Sequence, residues 1–272
     1  LRGLAGRRDG TARPAVLKTL DSADPAVRME AVRALAVFGD PADAPRLAAL
    51  LGGGDAVAAE AEKCLDTMAG DAVDQALADF LPQAAPGVHA TILGILSRRA
   101  APQGVALALD GLKHADPAVR TAALGLLAEH AGAAEVPACL ELLAASDAAA
   151  RGTVEKTLGA VCARGGDPAL APVLAGLTGP DAALRGSLVR VLSQAASPAA
   201  LNAVVAALQD PDGAVSEEAL RALSEWRTPD ALPHLRALAA GADEGRPILG
   251  LRRFIRLAQT EPDLGTRQTL LD

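Results

Sequence analysis

The sequence spells Asp-Pro-Ala-Val-Arg twice, at Asp24–Arg28 and at Asp116–Arg120. Each copy opens an apolar-periodic run. Asp before Pro marks a helix start: the carboxylate can cap free backbone N–H groups, and proline suits the first turn, where no N–H partner is needed. The start also recurs at a fixed spacing. With Val27 as the marker, equivalent positions fall at Val57, Val88, Val119, Ala150, Leu184, Val215 and Arg246, in steps of 30, 31, 31, 31, 34, 31 and 31 residues. A chain with this internal period folds as a stack of like units.

Eight residues past the marker stand Leu35, Leu65, Leu96, Leu127, Leu158, Leu192, Leu223 and Phe254. Four past it stand Ala31, Ala61, Ile92, Ala123, Val154, Leu188, Ala219 and Gly250. Offsets 0, 4 and 8 share one face of a helix, so each unit contains an amphipathic helix, helix B. A second apolar segment, helix A, precedes it, as in Pro41–Leu51, Glu135–Ala144, Ser197–Leu208 and Thr228–Ala239. Gly39-Asp40, Gly70-Asp71 and Gly165-Gly166-Asp167 mark joints. Two helices of about ten to twelve residues cannot bury their faces alone, but stacked pairs share a continuous core. Eight pairs are visible, and Glu261–Asp272 reads as helix A of a ninth. The chain ends before that unit's helix B and so reads as a piece of a longer protein, and its start at Leu1 rather than Met leaves room for a removed signal peptide or upstream domain.

Composition agrees. Half of the 272 residues are apolar, yet there are only three Phe, one Trp and no Tyr. Ala and Leu must fill the interior, which suits close-packed helices. Strand-like alternation is missing. The net charge of −7 argues against a general nucleic-acid binder. No apolar run reaches the roughly 20 residues needed to span a bilayer. Cys64, Cys139 and Cys162 lack metal-ligand spacing and read as buried thiols. Compartment is not legible; cytoplasmic is the default, with an extracytoplasmic place open if a signal was removed.

Asp24–Leu35, Asp116–Leu127, Asp181–Leu192 and Asp212–Leu223 resemble the HEAT-repeat family, especially its short Ala-rich bacterial type grouped with phycobilisome-lyase repeats. The resemblance covers nearly the whole chain. It implies an all-α, right-handed α-solenoid (an alpha-alpha superhelix) of about eight helix pairs, one array over residues 1–272. Function lives in sites grafted on such a fold. HEAT arrays mostly bind other proteins, on a concave side lined by helix B. The last unit, Gly245–Ala258, departs from the pattern with Arg246 at the marker and Pro247 after it, and resembles a closing unit.

Chemistry is harder to find. None of His89, His114, His130 and His234 precedes Glu, so the iron site of the similar deoxyhypusine hydroxylases is absent. Trp226 falls at the end of helix B with Phe38, Met68 and Leu257, and reads as core rather than as part of a glycosylase-like face. No nucleophile elbow or P-loop occurs. The residue after the marker is Arg28, Arg120, Arg151 or Arg185, with His89 in the same slot. With Asp24, Asp116, Asp147 and Asp181, these arginines resemble the family's Asp–Arg ladder between units.

Six past the marker stand Arg33, Lys63, Gly94, Gly125, Lys156, Arg190, Arg221 and Arg252. This offset lies about 120° from the marker, at the edge of helix B's exposed face. Glu30, Glu60 and Glu218 precede three of these cations by three residues. Lys156 and Arg190 have no such Glu. Around them the inner positions are small: Thr91, Thr121, Thr153 and Ser187, with Ala90, Ala122, Gly152 and Gly186. The expectation is a smooth floor of hydroxyls bordered by two less-compensated cations, taking a protein or an extended acidic peptide. That makes the chain a non-catalytic scaffold, a monomer by default, with no cofactor and no metal. The alternatives are a bilin-lyase-like cofactor chaperone and a phosphate-backbone binder.

Overall fold

The computed structural model describes residues 12–226 and 228–240, with side chains to 238. The expectations for Arg246, Gly250, Arg252, Phe254, Leu257 and the segment from Glu261 lie outside the described residues. Among the described residues there are helices and turns and no strand. The chain divides into two compact units, residues 1–130 and 131–272.

In the N-terminal unit the helices are α1 (Arg13–Thr19), α2 (Pro25–Phe38), α3 (Ala44–Ala48), α4 (Ala56–Thr67), α5 (Asp71–Phe80), α6 (Pro86–Arg98), α7 (Gly104–Gly111) and α8 (Pro117–His130). The C-terminal unit has α9 (Val136–Ala145), α10 (Ala148–Gly176), α11 (Ala182–Ala195), α12 (Pro198–Ala207), α13 (Gly213–Ser224) and α14 (Leu232–Ala240). The helix break expected at Gly165-Gly166 is there: Gly166 interrupts α10 at φ 59°, a conformation that favours glycine. The first part of α10 is thus a helix B and the second a helix A.

The repeated Asp does what its position predicts. Asp24, Asp55, Asp181 and Asp212 accept from backbone N–H groups of Ala26, Val57, Ala183 and Ala214, and Asp116 and Asp147 from those of Ala118 and Ala150. Each satisfies a donor that the helix itself leaves orphaned, for about 1 kcal/mol.

Stacking follows the stripe. The B helices α2, α4, α6 and α8 pack in sequence within the N-terminal unit, and α10, α11 and α13 do so within the other. Every described residue at offsets four and eight is buried, from Ala31 and Leu35 to Ala219 and Leu223. Offset zero is less constant: Val57, Val88, Val119 and Val215 are buried, whereas Ala150 is exposed. Offset seven is also buried throughout, as Ala34, Cys64, Ile95, Leu126, Thr157, Val191 and Ala222. The buried arc is therefore wider than the stripe, because within each unit a B helix packs against neighbouring B helices as well as its own helix A.

Candidate functional site

Offset six is among the positions this wide arc leaves at the surface. Arg33, Lys63, Gly125, Lys156 and Arg221 are exposed there, and Gly94 and Arg190 are half-buried. In the N-terminal unit Arg33 bridges Glu30 on its own helix and Glu60 on α4, each at 3.1 Å. Arg98 joins α6 to α4 through Glu62 at 2.6 Å and Asp66 at 3.0 Å. A Cβ added at Gly125 would meet nothing within 4 Å, so this part of the face is open.

In the C-terminal unit Arg190 is not under-compensated. Its guanidinium donates to both carboxylate oxygens of Glu155, at 2.9 and 2.7 Å, and lies 3.1 Å from Glu218. It thereby ties three successive B helices, α10, α11 and α13. Its partners stand 35 residues before and 28 after it, on other helices, and not three residues back along its own. Ser187 is fully buried and accepts from Arg190 at 3.1 Å, so it belongs to this cluster and not to an open floor. Burial opposes ionisation of Glu155, but the hydrogen bonds from Arg190 and Ser187 outweigh it and hold the carboxyl below its ordinary value. Its contribution is present at neutral pH and is lost as pH falls through that lowered value.

At offset five most other repeats carry an apolar residue, as in Val32, Leu93, Leu124, Val189 and Leu220. Two predictions follow from the contrast. Arg190→Ala leaves Glu155 without its cation and Glu218 with Arg221 alone, and should cost about 2 kcal/mol in urea unfolding, less than a fully buried pair because the arginine is 38% exposed. Glu155→Leu leaves Arg190 with Glu218 and should cost less than about 1 kcal/mol.

Lys156 is a cation that stays free: it is exposed, and it has no ion pair among the described residues. Thr153 beside it is exposed. Thr91 and Thr121 donate to the carbonyls of Gly87 and Pro117 in their own helices. Their hydroxyl protons are spent locally, and only their oxygens remain to accept. Lys63 is likewise exposed with no ion pair among the described residues.

The arginines after the marker first serve their own turns. Arg28 donates to the carbonyls of Ser22 and Ala23, Arg120 to those of His114 and Ala115, Arg151 to that of Ser146 and Arg185 to that of Gly179. Two also reach a carboxylate of the next repeat: Arg28 lies 3.6 Å from Asp55, and Arg185 grips Asp210 at 2.8 Å through two nitrogens. Arg120 and Arg151 make no such pair among the described residues.

The polar ties that sequence reading missed sit eleven past the marker. Arg99 donates to the carbonyls of Leu65, Asp66, Met68 and Gly70 and pairs with buried Asp74. One period later, His130 Nε2 lies 2.9 Å from the Ser97 carbonyl. Both close the C-terminal end of the preceding helix B, whose carbonyls lack helical partners. The available signal was a polar residue in a slot that reads Phe38, Met68 and Trp226 elsewhere.

Ser97, Glu129 and His130 form a cluster that resembles a hydrolytic triad only in composition. Ser97 donates to Glu129 at 2.6 Å, so its proton points at the carboxylate and not at the imidazole. The carboxylate approaches His130 at Nε2, the same nitrogen that faces the serine, and not at Nδ1. Burial raises the thiols of Cys64, Cys139 and Cys162 to about 12, 11 and 11, which removes thiolate chemistry at neutral pH. Among the described residues no group of three metal-ligating side chains occurs.

Residues 1–66 and 170–247, together more than half of the sequence, match the family model for HEAT repeats. The chain belongs to the HEAT-repeat family. Solved structures agree at the level of fold. The karyopherin Kap121p bound to the extreme C-terminus of the protein phosphatase Cdc14p aligns with a TM-score of 0.58 at 15% identity, covering 96% of this chain and 35% of that one. Kap121p bound to the SUMO protease Ulp1p gives 0.57 at 16%, covering 96% and 37%. Importin beta gives 0.55 at 15%, covering 95% and 42%. The HEAT chain thus spans less than half the length of these α-solenoids. No curated protein matches the sequence.

Proposed function

We propose that this HEAT-repeat chain is a non-catalytic scaffold that binds a protein or an extended acidic peptide along the exposed faces of its B helices. The carrying observation is Lys156. It is a cationic side chain at an exposed offset of helix B, with small Gly152 and Thr153 a turn away and no ion pair among the described residues. Kap121p, similar in fold, is seen bound to the extreme C-terminus of Cdc14p and to Ulp1p, which supports a protein partner for this fold. The wrong proton direction at Ser97 and the buried thiols support a binding role over a catalytic one.

Lys156→Glu reverses the charge at a solvent-facing position, so folding should be unchanged. Affinity for a Glu-rich extended peptide, read by fluorescence anisotropy, should fall about fivefold, and the salt dependence should flatten. Equal affinity and equal salt dependence in both proteins would remove Lys156 from any binding role.

A further inference from the structure

We propose that the junction between the third and fourth repeats, in the N-terminal unit, is an acid-loosened joint built from the facing rings of His89 and His114. The argument starts from equivalent positions. Arg185, one past its marker, grips Asp210, five before the next marker. In the third and fourth repeats those two positions are His89 and His114. The structure brings them together in the same way, with ring centroids 5.2 Å apart and planes at 58°.

The equivalence extends to the backbone. Asp210 accepts from the N–H of Asp212 at 2.9 Å, and His114 Nδ1 accepts from the N–H of Asp116 at 3.0 Å. Both side chains hold the turn that opens the next helix B. An imidazole does this only while Nδ1 keeps its lone pair. A proton there turns the acceptor into a donor facing a donor, and releases the turn before α8.

An Arg–Asp pair is indifferent to pH near neutrality, whereas two imidazoles repel once both are charged. The surroundings do not absorb such charge. Neither ring has a carboxylate within 4.0 Å among the described residues. Arg120 donates to the His114 carbonyl and adds a fixed positive charge. Lys113 and Asp110 pair with each other beside it, and Asp116 caps α8. On the helices packed against α6, Glu60 is held by Arg33, Glu62 and Asp66 by Arg98, Asp74 by Arg99, and Asp55 lies near Arg28. Lys63 on α4 is exposed, Asp79 on α5 accepts from Gln75, and Glu129 on α8 accepts from Ser97. Burial, and then His114, push His89 below its ordinary value, so the folded junction prefers the neutral ring. The sign is therefore fixed: the junction is whole above the ordinary histidine value and weakens as pH falls through the lowered one. Neighbour interfaces hold a repeat array together, so one weakened junction opens locally without unfolding the rest.

The test is amide hydrogen exchange on the full chain at pH 7.5 and pH 5.0, corrected for intrinsic rates. In the wild type, the turn at 112–118 and the first turn of α6 should lose about three- to tenfold of their protection at the lower pH. The double variant His89→Arg/His114→Asp, which installs the pair seen at Arg185 and Asp210, should lose none there. A second pair, His89→Gln/His114→Asn, keeps an acceptor for Asp116 without titrating and guards against misfolding of the first. Equal acid sensitivity of these amides in wild type and variants, or no sensitivity in the wild type, overturns the proposal. So does a His89 ring that titrates at or above the value of a free histidine.

Discussion

Arg99→Ala should destabilise the N-terminal unit by about 4 kcal/mol, within the range for removing one partner of a buried ion pair. The side chains of Arg99 and Asp74 are 9% and 6% exposed, so the carboxylate left behind cannot recover its lost partner from water. The same substitution also frees the carbonyls of Leu65, Met68 and Gly70 at the end of α4. Urea unfolding followed by far-ultraviolet circular dichroism measures the loss, and hydrogen exchange should assign it to the second and third repeats. Replacing both members, Arg99→Met with Asp74→Leu, should recover most of the stability, because no orphaned charge remains. A cost below 1 kcal/mol for Arg99→Ala would mean that water reaches Asp74 freely.

Trp226→Ala should cost about 4 kcal/mol in the C-terminal unit, the usual penalty for emptying a large buried aromatic site. Trp226 is 1% exposed and is among the largest fully buried side chains among the described residues. Its Nε1–H donates to Thr228 at 2.9 Å. Trp226→Phe keeps most of the packing and loses that bond, so it should cost far less, nearer 1–2 kcal/mol. Because Trp226 is the only tryptophan, the wild-type fluorescence should be blue-shifted when folded and should move red on unfolding. An emission maximum typical of a wet indole in the folded protein would contradict the buried position, and with it the core role read from the sequence.

How much was legible depended on the distance over which the information runs. The capping Asp, the interruption at Gly166, the burial of Leu35 through Leu223 and the core place of Trp226 were all readable from short spacing rules. They are settled within one helix or its first turn, where backbone geometry dictates which residues share a face. The open slot at offset six was readable for the same reason.

What the slot's residues do was not readable. Arg33 and Arg190 occupy one repeat position, and their partners lie on other helices: Glu60 for the first, Glu155 and Glu218 for the second. Arg99 and His130 stand in a slot where other repeats place Phe38, Met68 or Trp226, and they turn it into a cap for the preceding helix. The sequence by itself determined the period, the helices and the buried stripe, because those depend on a repeat's own residues. Only the tertiary structure decided which charges are held and which, like Lys156, are left to solvent. Pairing runs between repeats, across about one period of chain, and helix-to-helix packing sets it.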